Sequence, residues 1–100
     1  MRKGLALTGF MTILATSATA GPVGSACLDS GRGASRPLCA CIGNVADMTL
    51  SGPDQKLAAR LFSDPDKAEE IRVSDSNRHK SFWSRYQSFA ATAGSLCVSG

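Results

Sequence analysis

The chain has 100 residues, of which 43% are hydrophobic, with 11 Lys plus Arg against 8 Asp plus Glu and a formal charge of +3. That length holds one small domain and excludes multidomain enzymes and polytopic carriers. Arg2 and Lys3 lie at the amino end, and without them the near-neutral remainder gives no reason to expect nucleic acid or an anionic membrane as the principal partner.

Arg2 and Lys3 precede a mostly apolar stretch from Leu5 to Ala15, and Ala18-Thr19-Ala20 places small residues at the −3 and −1 positions of a cleavage site. Residues 1–20 therefore read as a cleaved signal peptide, with processing before Gly21 and delivery to the periplasm or the exterior. A membrane-spanning helix needs about 20 predominantly apolar residues, and Thr8, Gly9 and Thr12 interrupt this shorter run. No membrane span is expected after cleavage. Export makes disulfides the expected state of Cys27, Cys39, Cys41 and Cys97.

Residues 21–36 contain Pro22, Gly24, Gly31 and Gly33 with few large apolar side chains, which predicts an irregular N-terminal arm pinned by Cys27. A helical domain over residues 37–98 follows. Pro37 opens a first helix to about residue 50, in which Leu38, Cys41, Ile42, Val45 and Met48 form a one-sided apolar stripe. Ser51-Gly52-Pro53-Asp54 ends that run and starts the next, because a serine three positions before an acid can satisfy free N–H groups at a helix start. Leu57, Ala58, Leu61 and Phe62 give the second helix its buried side. Ser63-Asp64-Pro65-Asp66 repeats the start signal, and a short third helix turns Ala68, Ile71 and Val73 inward. After the polar break Ser74-Asp75-Ser76-Asn77, one long helix runs to about Cys97. Its stripe is His79, Phe82, Tyr86, Phe89, Ala93 and Leu96, widened by Trp83 and Ala90, with Ala93 and Gly94 small enough to admit a close neighbour. The expected fold is all-α, a small disulfide-stapled bundle of about four helices with a long aromatic C-terminal helix.

Four cysteines allow three pairings, and the one joining Cys39 to Cys41 across a single residue is the most strained. On a helix Cys39 and Cys41 face about 200° apart. Cys41 shares the stripe of Leu38, Val45 and Met48, which favours Cys41 with Cys97 and Cys27 with Cys39; the swapped pairing, Cys27 with Cys41 and Cys39 with Cys97, stays open. The staples matter because a core this small is marginal. In the loop-entropy account the longer loop stabilises by about 4 kcal/mol and the shorter by about 3 kcal/mol.

Neither a catalytic residue nor a cofactor is assigned. Cys39-Ala40-Cys41 lacks the spacing of common zinc sites, so no metal is expected, and a haem attachment motif is absent. Asp75 and His79 are four apart and fit a capping acid with a first-turn histidine. With no hydrolase or phosphate-loop signature beside them, the chain does not read as an enzyme. Phe82, Trp83, Arg85 and Tyr86 form the candidate ligand or partner surface. Phe82 and Trp83 point about 100° apart and cannot both reach the centre of a thin bundle, so an aromatic edge is left beside a cation. The acidic stretch Asp64, Asp66, Glu69, Glu70 and Asp75 reads as a solvated face that could also receive a guanidinium group.

The run Cys39-Ala40-Cys41-Ile42, the segments VADMTLSGPDQKLAA and FSDPDKAEEIRVSD, and the ending HKSFWSRYQSFAATAGSLC together resemble a family of small secreted proteins of marine-type alphaproteobacteria. Its members often carry the name arginine transporter. A permease must cross the bilayer with its backbone bonds satisfied, and no segment after the amino end is apolar enough to do so. The resemblance therefore implies a periplasmic, non-enzymatic accessory or binding component linked to arginine or amino-acid transport, acting on arginine or a protein partner. A carrier of an apolar ligand in an inter-helical groove near Phe82, Trp83 and Phe89 is the alternative expectation.

Overall fold

A computed structural model describes residues 21–97, so the expected signal peptide and Val98 lie outside the described residues. Five helices follow in chain order: α1 (Gly21–Asp29), α2 (Arg36–Thr49), α3 (Gly52–Ser63), α4 (Pro65–Arg72) and α5 (Asn77–Leu96). No strand occurs among the described residues.

Local chemistry sets four of the five starts. The hydroxyl of Ser35 accepts from the Leu38 N–H at 3.2 Å, Ser51 from Asp54 at 3.4 Å and Ser76 from His79 at 3.3 Å, each satisfying one otherwise orphaned donor. Asp64 serves two helices at once. Its own N–H donates to Arg60 O at the end of α3, while its Oδ1 accepts from the Asp66 N–H at the start of α4. Pro37, Pro53 and Pro65 occupy first-turn positions where the missing N–H costs nothing. The α2–α3 corner is only Leu50 and Ser51, and Gln55 Nε2 donates across it to Leu50 O at 3.2 Å.

The expected irregular arm is corrected: residues 21–29 form α1, which raises the helix number from about four to five. Val23, Ala26 and Cys27 recur at helical spacing and are buried against α2 and α3, with Gly24 buried beside them. Packing on two neighbours outweighs the poor helix propensity of the glycines. Pro22, taken for a loop signal, sits in the first turn where proline is at home. Only residues 30–35 remain irregular, and there Gly31 and Gly33 both adopt φ of 75°, a conformation that L side chains resist.

Because α1 is a packed helix, α2 is covered on more of its surface than a single stripe would suggest. Cys39, Val45 and Ala46 are at most 1% exposed, whereas Met48, expected inside, is 68% exposed. α5 covers α2 from another side and also packs on α4. The continuous core is Val23, Val45, Ala46, Leu50, Ala58, Leu61, Ile71, Phe82 and Phe89. Three further expectations of burial fail. Val73 and Leu96 are each 59% exposed and Ala90 is exposed, since α4 stops at Arg72 and nothing lies over the last turns of α5 on those sides. Gly94, expected to admit a close neighbour, faces open space.

Cys27 is bonded to Cys39 and Cys41 to Cys97, with Cα separations of 5.5 and 5.7 Å, and no described cysteine is free. The stripe argument placed Cys41 in the core and Cys39 off it. The burial is the reverse: Cys39 and Cys27 are almost fully enclosed between α1 and α2, while Cys41 and Cys97 are half-buried.

Candidate functional site

The aromatic segment of α5 divides by face. Phe82 is 1% exposed and Phe89 2%, so both belong to the core, and Phe82 is removed from the expected surface. Trp83 and Tyr86 are half-buried at the rim. Tyr86 is the hub, its ring centroid 5.7 Å from Phe82, 5.4 Å from Trp83 and 5.7 Å from Phe89. Helical spacings of three and four bring these rings together on one side of α5. The offset and tilted arrangements are those that aromatic quadrupoles favour. Burial pushes the Tyr86 phenol above its ordinary pKa, against a smaller opposing effect of the Arg32 charge. Arg32 itself reaches out of the 30–35 loop to donate to Phe62 O at 3.4 Å.

Arg85, the cation of the expected surface, is already engaged. Its Nε donates to Asp54 Oδ2 at 2.6 Å and its Nη2 to Asp54 Oδ1 at 3.1 Å, a two-pronged clasp between α5 and the first turn of α3. The bond to Asp54 holds the guanidinium even further up than usual. The carboxylate is the more enclosed partner, with the Asp54 side chain 14% exposed against 50% for Arg85. Asp54 was read from the sequence only as a cap, and no local pattern links positions 31 residues apart.

The cap of α5 is Ser76 rather than Asp75, and His79 stands in the first turn as expected. Its Nδ1 lies 2.8 Å from the hydroxyl of Ser74, which also accepts from the Ser76 N–H at 3.1 Å. The contact knots the turn between α4 and α5. Ser74 was missed as a partner because it stands outside the helix, where the spacing rules for facing residues do not apply.

The acidic stretch is largely neutralised from within. Glu69 accepts from Arg72 Nη2 at 2.6 Å, which draws its carboxyl below the usual range, and Glu70 pairs with Lys67 at 3.4 Å. Asp64 uses Oδ1 for capping. What the stretch does form is one wall of an open hollow of about 590 Å³ between α3 and α4, lined by Ala59, Arg60, Ser63, Asp64, Lys67 and Glu70. Two cations and two carboxylates thus line it together with one alanine and one serine. Arg60 and Lys67 were not singled out from the sequence; they stand on either side of the Asp64-Pro65 corner, whose angle decides that they converge. None of Phe82, Trp83 or Phe89 lines this hollow.

Among the described residues no three His, Cys, Asp or Glu side chains are grouped to hold a metal ion, and no helix is long and apolar enough to cross a membrane. Compared with known protein families, curated proteins and solved structures, the chain matches none.

Proposed function

We propose that this is a small exported, non-enzymatic binding or accessory module that receives a zwitterionic amino acid, arginine in the first instance, in the hollow between α3 and α4. The observation that carries the reading is that Arg60, Lys67, Asp64 and Glu70 all line one concavity. An amino acid presents a carboxylate to the first pair and an ammonium, or the arginine guanidinium, to the second, all through charge-assisted hydrogen bonds. The Lys67–Glu70 pair already in place is solvent-exposed on its acidic side, 62% for Glu70, and such pairs cost little to open. An open hollow removes little water from the ligand, so affinity falls in the millimolar range, about −4 kcal/mol. Two disulfides fit maturation outside the reducing cytosol.

The test is an amide-resolved NMR titration with L-arginine, agmatine and glycine. Binding at the hollow moves the resonances of Arg60, Asp64, Lys67 and Glu70, with arginine stronger than agmatine, which lacks the carboxylate, and stronger than glycine, which lacks the guanidinium. No movement at those four residues at saturating millimolar arginine, or equal movement with agmatine, refutes the assignment. A response centred on Trp83 and Tyr86 instead would move the site to the aromatic rim.

A further inference from the structure

The two disulfides occupy different surroundings. Cys27 is 3% exposed and Cys39 0%, held where α1 lies on α2, while Cys41 and Cys97 are both half-buried. They also have different duties. Cys27–Cys39 closes a separation of 12 residues between helices that pack extensively on each other, whereas Cys41–Cys97 spans 56 residues and ties the very end of α5 to α2. Beyond Phe89, the last fully buried residue of α5, Ala90, Ala91, Gly94, Ser95 and Leu96 are all exposed. Ala93 is the one apolar side chain of that stretch packed against the core before Cys97, and Thr92 beside it is half-buried. Thr92, Gly94 and Ser95 are weak helix formers, so little besides the bridge holds the last two turns.

We propose that Cys41–Cys97 is a thiol-exchangeable clasp, opened by a dithiol of the thioredoxin class, whose reduction releases α5 from about Ala90 onward while Cys27–Cys39 keeps the rest of the fold closed. One thiolate of the dithiol attacks the accessible sulfur of Cys41 or Cys97 and forms a mixed disulfide as the other cysteine leaves as a thiolate. The second thiol of the reagent then displaces the remaining cysteine. The dithiol becomes a disulfide, and two electrons and two protons end on Cys41 and Cys97. Access to sulfur governs the rate of the first step, which is why the half-buried bridge reacts before the enclosed one. Shuffling does not follow: on α2 the freed Cys41 faces about 200° away from Cys39, and the enclosure of Cys27 and Cys39, 3% and 0% exposed, shields their bridge from the freed Cys97. The freed end exposes Ala93 beside the already exposed Leu96, so the clasp sets how much apolar surface the carboxy-terminal end presents.

The experiment treats the oxidised protein with graded dithiothreitol under native conditions, alkylates the thiols that appear, maps them by peptide mass and follows amide hydrogen exchange on the two-thiol form. The expected intermediate carries both labels on Cys41 and Cys97. Its amides from Ala90 to Leu96 lose nearly all their protection, while those of Val45, Ala46, Phe82 and Phe89 remain protected, although loss of the long-loop constraint speeds their exchange by up to about a thousand-fold. The double variant Cys41→Ser with Cys97→Ser shows the same local pattern without reductant. Four thiols appearing together, labels on Cys27 and Cys39 first, unchanged exchange at Ala90 to Leu96, or loss of protection throughout the two-thiol form each overturn the proposal.

Discussion

Replacing Phe82 by alanine, compared with replacing Trp83, tests how α5 is seated. Phe82 is 1% exposed, the largest of the fully enclosed side chains, and it supports the Tyr86 ring at 5.7 Å. Truncating a phenylalanine so placed removes its transfer free energy and leaves a cavity that a disulfide-tethered helix collapses into only partly, a loss of about 3–5 kcal/mol. A domain of this size holds only about 4–12 kcal/mol in total. Trp83 is the larger residue, but it is half-buried at the rim, and its truncation costs about 1–2 kcal/mol because the site opens to water without forming a void. In urea, where a small domain loses about 1 kcal/mol of stability per molar denaturant, Phe82→Ala therefore moves the midpoint by about 3 M or more and Trp83→Ala by about 1–2 M. Equilibrium urea unfolding followed by far-ultraviolet circular dichroism reads both variants with the same probe and without depending on Trp83 emission. A Phe82→Ala cost below about 1 kcal/mol, or a larger cost for Trp83→Ala, refutes the placement of Phe82 in the core and returns it to the candidate surface.

Two further predictions follow from the charged and titratable groups. The Arg85–Asp54 clasp links α5 to α3 with one half-exposed partner; a double-mutant cycle with Arg85→Ala and Asp54→Ala shows a favourable coupling at low salt that disappears near 1 M salt, where the screening length is about 3 Å, and a salt-independent coupling refutes a solvent-screened pair. Tyr86 is the single tyrosine, and its folded-state pKa is raised by burial, so the folded chain holds its proton where the unfolded chain loses it. The stabilisation is intact below the unfolded value of about 10 and is lost as pH rises through the folded value. Phenolate absorption therefore appears at higher pH in the folded protein than in urea, and thermal stability declines across the same window; coincident titrations in the two states refute the burial argument.

Much of the helical framework was legible because it rests on short-range chemistry. Ser51-Gly52-Pro53-Asp54 and Ser63-Asp64-Pro65-Asp66 mark helix starts whatever surrounds them, since a cap and its donor lie within three residues. The spacing of Phe82, Tyr86 and Phe89 likewise foretells one shared face of α5. α1 was not legible, because glycine and proline argue locally for a loop while Val23, Ala26 and Cys27 find their partners in α2 and α3. Of the candidate surface, the sequence limited how many of Phe82 and Trp83 could reach the centre and left open which one did. The charges of the α3–α4 hollow were visible only as separate runs.

The amino-acid sequence by itself determined where α2 to α5 begin, that four cysteines must be satisfied in a small helical chain, and that the aromatic residues of α5 share a side. Tertiary structure alone decided that Cys39 rather than Cys41 is enclosed, that Arg85 is clasped by Asp54, and that Arg60, Asp64, Lys67 and Glu70 line one hollow. The difference is one of range. Capping and helical periodicity act within a few residues of backbone and are written into the local order of side chains. Enclosure and convergence depend on the angles at the corners and on which helix covers which face, set by the packing of the whole chain at once.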